Sequence, residues 1–299
     1  MVPLHDPTRT AETPVNGMSV DVEEYFQVGA FEAVIKRSDW DDLESRVDYA
    51  TNRVLDLFAR HDTKATFFVL GWIAERHGAL IRRIAEQGHE VASHGYDHAR
   101  ITSLEPESFR ADIVKTRKIL EDASGGPIRG YRAPSFSIGE RNLWGLDILA
   151  EEGYAYSSSV YPIRHDHYGM PEAPRFAFRP VSGQPMIELP VTTVDVGGRK
   201  FPCGGGGYFR LLPYGISRWA IRRVNGVDRA ASIFYFHPWE IDPEQPRVQN
   251  ASAKSRFRHY TNLGRMEGKI ARVLQDFSWD RMDQVFLGQP DGAGAGRGD

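Results

Sequence analysis

A chain of 299 residues with 41% hydrophobic, 11% aromatic and 26% charged side chains can build one large globular domain or two small ones. A formal net charge of -3 gives no electrostatic reason to expect nucleic acid as the main partner. The single cysteine, Cys203, excludes a scaffold stapled by intrachain disulfides, and no apolar run approaches the roughly 18 residues of a membrane span.

The opening MVPLHDPTRTAETPVNG (1–17) is polar and Pro/Thr-rich. It has no apolar signal-peptide core and reads as a flexible arm, with a cytoplasmic location as the default expectation. MSVDV (18–22) reads as a strand, and residues 41–60 as an amphipathic helix. KATFFVL (64–70) is a strand, and IAERHGALIRRIAEQG (73–88) a helix stopped by Gly88. HEVAS (89–93) is extended, and 106–125 is helical with Pro106 near its start. IRGYR (128–132) is extended, 140–152 is helical, and YAYSS (154–158) is extended again. MIELPV (186–191) and SIFYFH (232–237) are later strands. The Gly-rich end has nothing to pack, so 286–299 is expected to be a disordered tail. The alternation predicts an α/β fold with parallel strands and helical crossovers, as a closed or nearly closed barrel over 18–285. Chemistry then belongs at the C-terminal strand ends.

Polar residues stand at those ends. Alternation puts Asp21 and Glu23 on one side of the first strand and Glu24 on the other. Two carboxylates there either face solvent or share a cation or arginine. His94 and His98, in SHGYDH, reach one point if that loop makes a helical turn. One carboxylate and two histidines leave coordination positions open, as a catalytic metal site does, and free the second carboxylate to act as a base. Asp97 is either a partner behind the ligands or a turn residue. Arg132, in the stiff segment GYRAPSFS, can hold a carboxylate or lie on the surface. His237 ends IFYFH and is either a satisfied core residue or a general acid. The run Gly204–Gly207 is either a close backbone approach to a substrate or a flexible loop. Cys203 beside it receives no catalytic role.

The motifs SVDVEEYF, ATFFVLGWIAERH, GHEVASHGYDH, YRAPSFS, GYAYSSSV and FYFHPWE, in this order, resemble the polysaccharide deacetylase (NodB-homology) family, carbohydrate esterase family 4. GGGGYFRLLPY and RFRHYTNLGRMEGKI look like the C-terminal extension of its branch in exosortase (PEP-CTERM) exopolysaccharide loci. The resemblance implies a deformed (β/α) barrel and metal-dependent removal of N-acetyl groups from a glycan. It implies Glu23, His94 and His98 as ligands of a divalent ion, zinc by default. Asp21 would be the base, held by Arg132, and His237 the acid. An oxyanion donor is expected among the backbone amides of 131–134. Tyr131, Pro134, Phe136 and Trp239 are expected at the substrate, with Tyr25, Phe26, Tyr96 and Tyr161 divided between a sugar groove and the core. Two features depart from the family. Its usual adjacent aspartate pair is here Asp21 and Glu23, separated by Val22. The aspartate that orients the acidic histidine has no match, which leaves Ser157–Ser159 or Asp166 as substitutes. Alternatives are a small-molecule amidohydrolase acting on a ureide or formamide, distinguished by a closed pocket, and an inactive glycan-binding module. The sequence does not set the oligomeric state.

Overall fold

The computed structural model describes residues 2–3, 14–164 and 169–288. Its strands are β1 (Val2–Pro3), β2 (Asn16–Val22), β3 (Thr66–Val69), β4 (Glu90–Ser93), β5 (Gly130–Tyr131), β6 (Tyr156–Ser157), β7 (Phe178–Arg179), β8 (Ile187–Glu188), β9 (Thr193–Val196), β10 (Arg199–Pro202), β11 (Ile233–Phe236) and β12 (Trp279–Asp280). Its helices are α1 (Val47–Arg60), α2 (Gly71–Arg76), α3 (Gly78–Glu86), α4 (Pro106–Ser124), α5 (Trp144–Glu151), α6 (Gly206–Leu211), α7 (Tyr214–Arg223), α8 (Ala253–Tyr260), α9 (Leu263–Asp276) and α10 (Met282–Leu287). None of these helices is long and apolar enough to cross a membrane.

One curled sheet runs β1-β7-β8-β6-β5-β4-β3-β2-β11, with β12 also paired to β2. From β8 to β11 every pairing is parallel, as the strand–helix alternation requires. The barrel is not closed by direct pairing of β8 with β11. The segment after β8 fills that gap: Tyr235 N–H donates to Gly204 O at 2.8 Å and Ile233 N–H to Thr192 Oγ1 at 2.5 Å. This accounts for Gly204 to Gly206, while Gly207 meets nothing within 4 Å. A Cβ on Gly204 would lie 2.3 Å from Ile233 O, and one on Gly206 would lie 2.0 Å from the Glu240 carboxylate. These glycines allow close packing inside the protein.

Several boundaries differ from expectation for local reasons. The helix expected from residue 41 starts at Val47, because Glu24 caps it, accepting from the amides of Arg46 (3.0 Å) and Val47 (3.3 Å). The helix expected over 73–88 is two helices that meet at His77, whose ring is bonded to Asp48 at 2.6 Å. The arm ends earlier than expected: Asn16 is buried in β2 and exchanges side-chain hydrogen bonds with Asn225. The tail starts later, since Phe286 in α10 packs over Gly17. Residues 1 and 4–13 of the expected arm, residues 289–299 of the expected tail and Asp166 lie outside the described residues.

Glu90, the first residue of β4, is a buried carboxyl at the opposite end of the strand from His94. Its Oε2 accepts from the Tyr156 hydroxyl (2.9 Å), the Asp283 amide (3.3 Å) and the Thr66 hydroxyl. Burial first, and then the Asp283 carboxylate, raise its pKa above the ordinary carboxylate value. Such a group favours the fold while it keeps its proton. Its contribution is complete below the unfolded pKa and is lost as pH rises through the raised folded value. Between about pH 5 and about pH 8 the melting temperature of the wild type should therefore fall relative to that of Glu90→Gln. Thermal denaturation curves that keep a constant offset across that range would show this account to be wrong.

Candidate active site

Ser19, Asp21 and Glu23 face the sheet interior from alternate positions at the end of β2. Asp21 sits beside Arg132, which has no exposed surface. Arg132 Nη1 donates to Asp21 Oδ1 at 2.5 Å and to Ser19 Oγ at 3.0 Å. Its Nε donates to Ser158 O at 3.2 Å and its Nη2 to Ser158 Oγ at 3.1 Å. The guanidinium lies over the Phe68 ring, 4.0 Å from its centroid. Among the described residues no side chain donates to Asp21 Oδ2, and Asp21 lines a pocket of 230 Å³. The position suits a base held by its other oxygen.

Glu23, His94 and His98 offer ligand atoms that all lie within 4.8 Å of one another. His94 Nδ1 is 2.8 Å from Arg132 O, so that nitrogen carries the proton and leaves the Nε2 lone pair for the pocket. Burial lowers the His94 pKa to about 4, which keeps the ring neutral. Glu23 Oε2 is buried without a hydrogen bond, although His98 Nε2 lies 2.9 Å away. Burial opposes the Glu23 charge, but His98, His237 and His94 hold its pKa at about 2. An ionised carboxylate and imidazole nitrogens that converge on one point, with one oxygen orphaned, fit a divalent cation. The histidines do not meet through a helical turn, as expected. Gly95 and His98 are left-handed, with φ of 74° and 60°. The loop is fixed instead from outside: the amides of Gly71 and Trp72 donate to Gly95 O (2.9 Å) and Tyr96 O (2.8 Å), and Tyr96 N–H donates to the half-buried Asp112 at 3.2 Å. Asp97 stands apart from the ligands, paired with Arg37.

His237 follows β11, which lies beside β2. Its Nε2 is 3.4 Å from Glu23 Oε1, and its Nδ1 is 3.3 Å from Glu240 Oε2. Burial disfavours the charged ring, but Glu23, Glu240 and Asp21 outweigh it and raise the pKa to about 9. A protonated imidazole at this position can serve as an acid. Glu240 takes the orienting place for which the sequence showed no aspartate. It lies on the 3₁₀ turn Pro238–Ile241, and Arg210 Nε of α6 lies 3.1 Å from its Oε1. Ser158 and Ser159 act elsewhere. Ser158 holds Arg132, and Ser159 Oγ accepts from Ala133 N–H at 2.9 Å.

The pocket brings together Asp21, Glu23, His94, His98, His237, Phe136 and Trp239. Trp239 is clamped rather than free to receive a sugar. It stacks between His237 (5.0 Å) and His259 (4.2 Å), and its Nε1 donates to Glu23 Oε1 at 3.2 Å. Two expected substrate contacts are corrected. Tyr131 is core: alternation turns it away from Arg132, against Phe109 and Tyr154. Pro134 is buried and packs on Gly95 outside the pocket lining. The expected oxyanion donor is also unsupported at 132–134: the Arg132 and Ala133 amides bond Ser93 O and Ser159 Oγ, and Pro134 has none. Tyr25, Phe26 and Tyr161 are core, and the Tyr96 hydroxyl donates to Glu75 at 2.6 Å. Sequence reasoning missed Glu240, Arg210, His259 and Asp112. Glu240 alone had a local signal, three residues after His237 in HPWE.

Residues 39–156 match the polysaccharide deacetylase family model, and residues 158–287 match a domain of unknown function, DUF3473. The chain is 36% identical over 93 residues to the peptidoglycan-N-acetylglucosamine deacetylase of Bacillus cereus, covering 31% of this chain and 34% of that protein. It is 32% identical over 115 residues to the chitooligosaccharide deacetylase of Rhizobium leguminosarum bv. phaseoli, covering 38% of this chain and 48% of that protein. The matches thus span a third to a half of these relatives' length. The fold is that of a solved candidate polysaccharide deacetylase from Mycobacterium smegmatis, with a TM-score of 0.62 and 20% identity over 95% of this chain and 92% of that one.

Arg132→Ala would leave Asp21 charged, buried and uncompensated. The expected cost is about 3–5 kcal/mol of stability in urea unfolding. Adding Asp21→Asn should recover part of it; strictly additive losses would contradict a direct pair.

Proposed function

The chain carries a polysaccharide deacetylase domain, and from that premise we propose that it hydrolyses N-acetyl groups from amino sugars of a polysaccharide, in exopolysaccharide or cell-envelope glycan metabolism. One observation carries this reading: a candidate base, a candidate acid and a ligand trio face a single pocket. Glu23, His94 and His98 would hold a divalent ion, zinc in this proposal, which when bound supplies Lewis-acid polarisation of the acetamide carbonyl and a more acidic water.

The chain's own residues divide the remaining work. Asp21 takes the proton of the attacking water. Arg132 fixes Asp21 through one oxygen and leaves the other to face the reaction. His237 gives its proton to the amide nitrogen as the carbon–nitrogen bond breaks, so the amine leaves neutral. Glu240 holds Nδ1 of that ring and directs Nε2 towards the pocket. A cation on Glu23 would offset part of the pull on His237, and Glu240 would keep its share. The products are acetate and a free amino sugar.

The cleft favours a polymer over a small ureide or formamide. The 230 Å³ pocket continues past Val28, Gly29 and His98 into a trough of 520 Å³ walled by Trp40, Arg37 and Arg100. An extended chain can lie there with one acetamide at Asp21.

Acetate release from N-acetylated oligosaccharides tests the reading. Asp21→Asn should lower the rate by roughly 10² to 10⁴, and a chelator should abolish it reversibly. Release indifferent to both would sink the proposal. His237→Ala should lose a similar factor on the amide but much less on an activated aryl acetate, whose leaving group needs no proton. Equal losses on both substrates would remove His237 from the acid role.

A further inference from the structure

A second concave surface lies behind the segment that carries Arg210. Val196, Phe201, Tyr208, Leu211, Ile216 and Trp219 are large apolar side chains between 36% and 49% exposed. They come from β9, β10, α6 and α7, and all but Leu211 line one apolar groove of 290 Å³ floored by Cys203 and Phe209. Single exposed apolar residues are ordinary, but a contiguous group marks a surface that meets something.

The rim carries positive charge. Arg199 stands opposite Val196 in the β9–β10 register, and Arg222 and Arg223 end α7. Helical spacing puts Arg223 in line with Ile216, Trp219 and Ala220. Among the described residues none of these arginines has a carboxylate within ion-pair distance, though Arg223 Nε donates to the Asp195 carbonyl at 3.1 Å. The nearby acids are engaged elsewhere: Asp276 with Arg218, Asp228 with Arg175, and Asp195 with the Gly198 amide.

We propose that this face docks on the surface of an anionic lipid bilayer. Phe201, Ile216 and Trp219 would enter the boundary between headgroups and acyl chains, and Arg199, Arg222 and Arg223 would meet lipid phosphates. A bilayer offers an apolar layer beneath a negative surface, which is the pattern this face complements. Tryptophan and tyrosine are the aromatic side chains best suited to that depth. A second copy fits less well, because two-fold pairing of the face would set the same arginines against each other. α6 then has two duties: Tyr208 faces the bilayer while Arg210 reaches inward to Glu240.

The test is sedimentation of the full chain with vesicles of phosphatidylcholine alone, or with about one third phosphatidylglycerol. The chain should pellet with the anionic vesicles and be released by salt. Arg222→Gln should weaken binding roughly fivefold, and Arg222→Gln combined with Arg223→Gln more. Trp219→Ser should weaken it further, with far-UV circular dichroism and acetate release in solution unchanged. No binding to anionic vesicles, or binding indifferent to these substitutions, would overturn the proposal. Concentration-dependent dimerisation abolished by Trp219→Ser would overturn it too, and give the face to a second copy.

Discussion

A guanidinium with no exposed surface must have its N–H groups answered from inside the protein. Arg132 is answered by Ser19 and Asp21 from β2, by Ser158 after β6, and by the ring of Phe68 from β3. Its own carbonyl accepts from His94, after β4. One residue thus ties five consecutive strand ends of the curled sheet, and the same contacts place the candidate base and one candidate ligand. Moving β2 by a residue would part Asp21 from Arg132 and leave a buried charge unanswered, at a cost of several kcal/mol. The geometry of the site and the register of the sheet are in this sense one constraint.

The residues of the candidate site are legible in the sequence because they end apolar strands. Asp21, Glu23, His94 and His237 each close a run of β-forming residues, and the period of two assigns their side without further information. The same rule puts Glu24 on the far face, and it is there, capping α1. Legibility stops where a contact depends on distant chain. Arg210 reaches Glu240 from α6, and His259 reaches Trp239 from α8. No local pattern announces such pairs. Tyr131 departs from expectation because its neighbour Arg132 faces inward, and a strand of only two residues makes that alternation easy to overlook. The loop between His94 and His98 departs because its shape is imposed by α2 and Asp112, outside the loop.

The two stretches matched by different family models are not separate in the fold. The first ends at 156 and the second starts at 158, inside β6 and the serines that follow. The candidate ligand histidines belong to the first stretch. His237, Glu240, Arg210 and His259 belong to the second, and they meet the rest of the site at Glu23. The second stretch is therefore part of the candidate site, whatever else its outer face does.

The pairing of β11 with β2 has a consequence in time. Glu23, His94 and His98 are all present once a growing chain has passed residue 98, and their strands are neighbours in both sequence and space. His237 cannot join them until β11 has been made and has crossed to the opposite side of β2. Long-range parallel pairing is slow to form. During synthesis the candidate ligands are therefore made well before the candidate acid, and they can meet first. The candidate site is complete only once β11 has docked, with β12 alone of the named strands still to follow on β2.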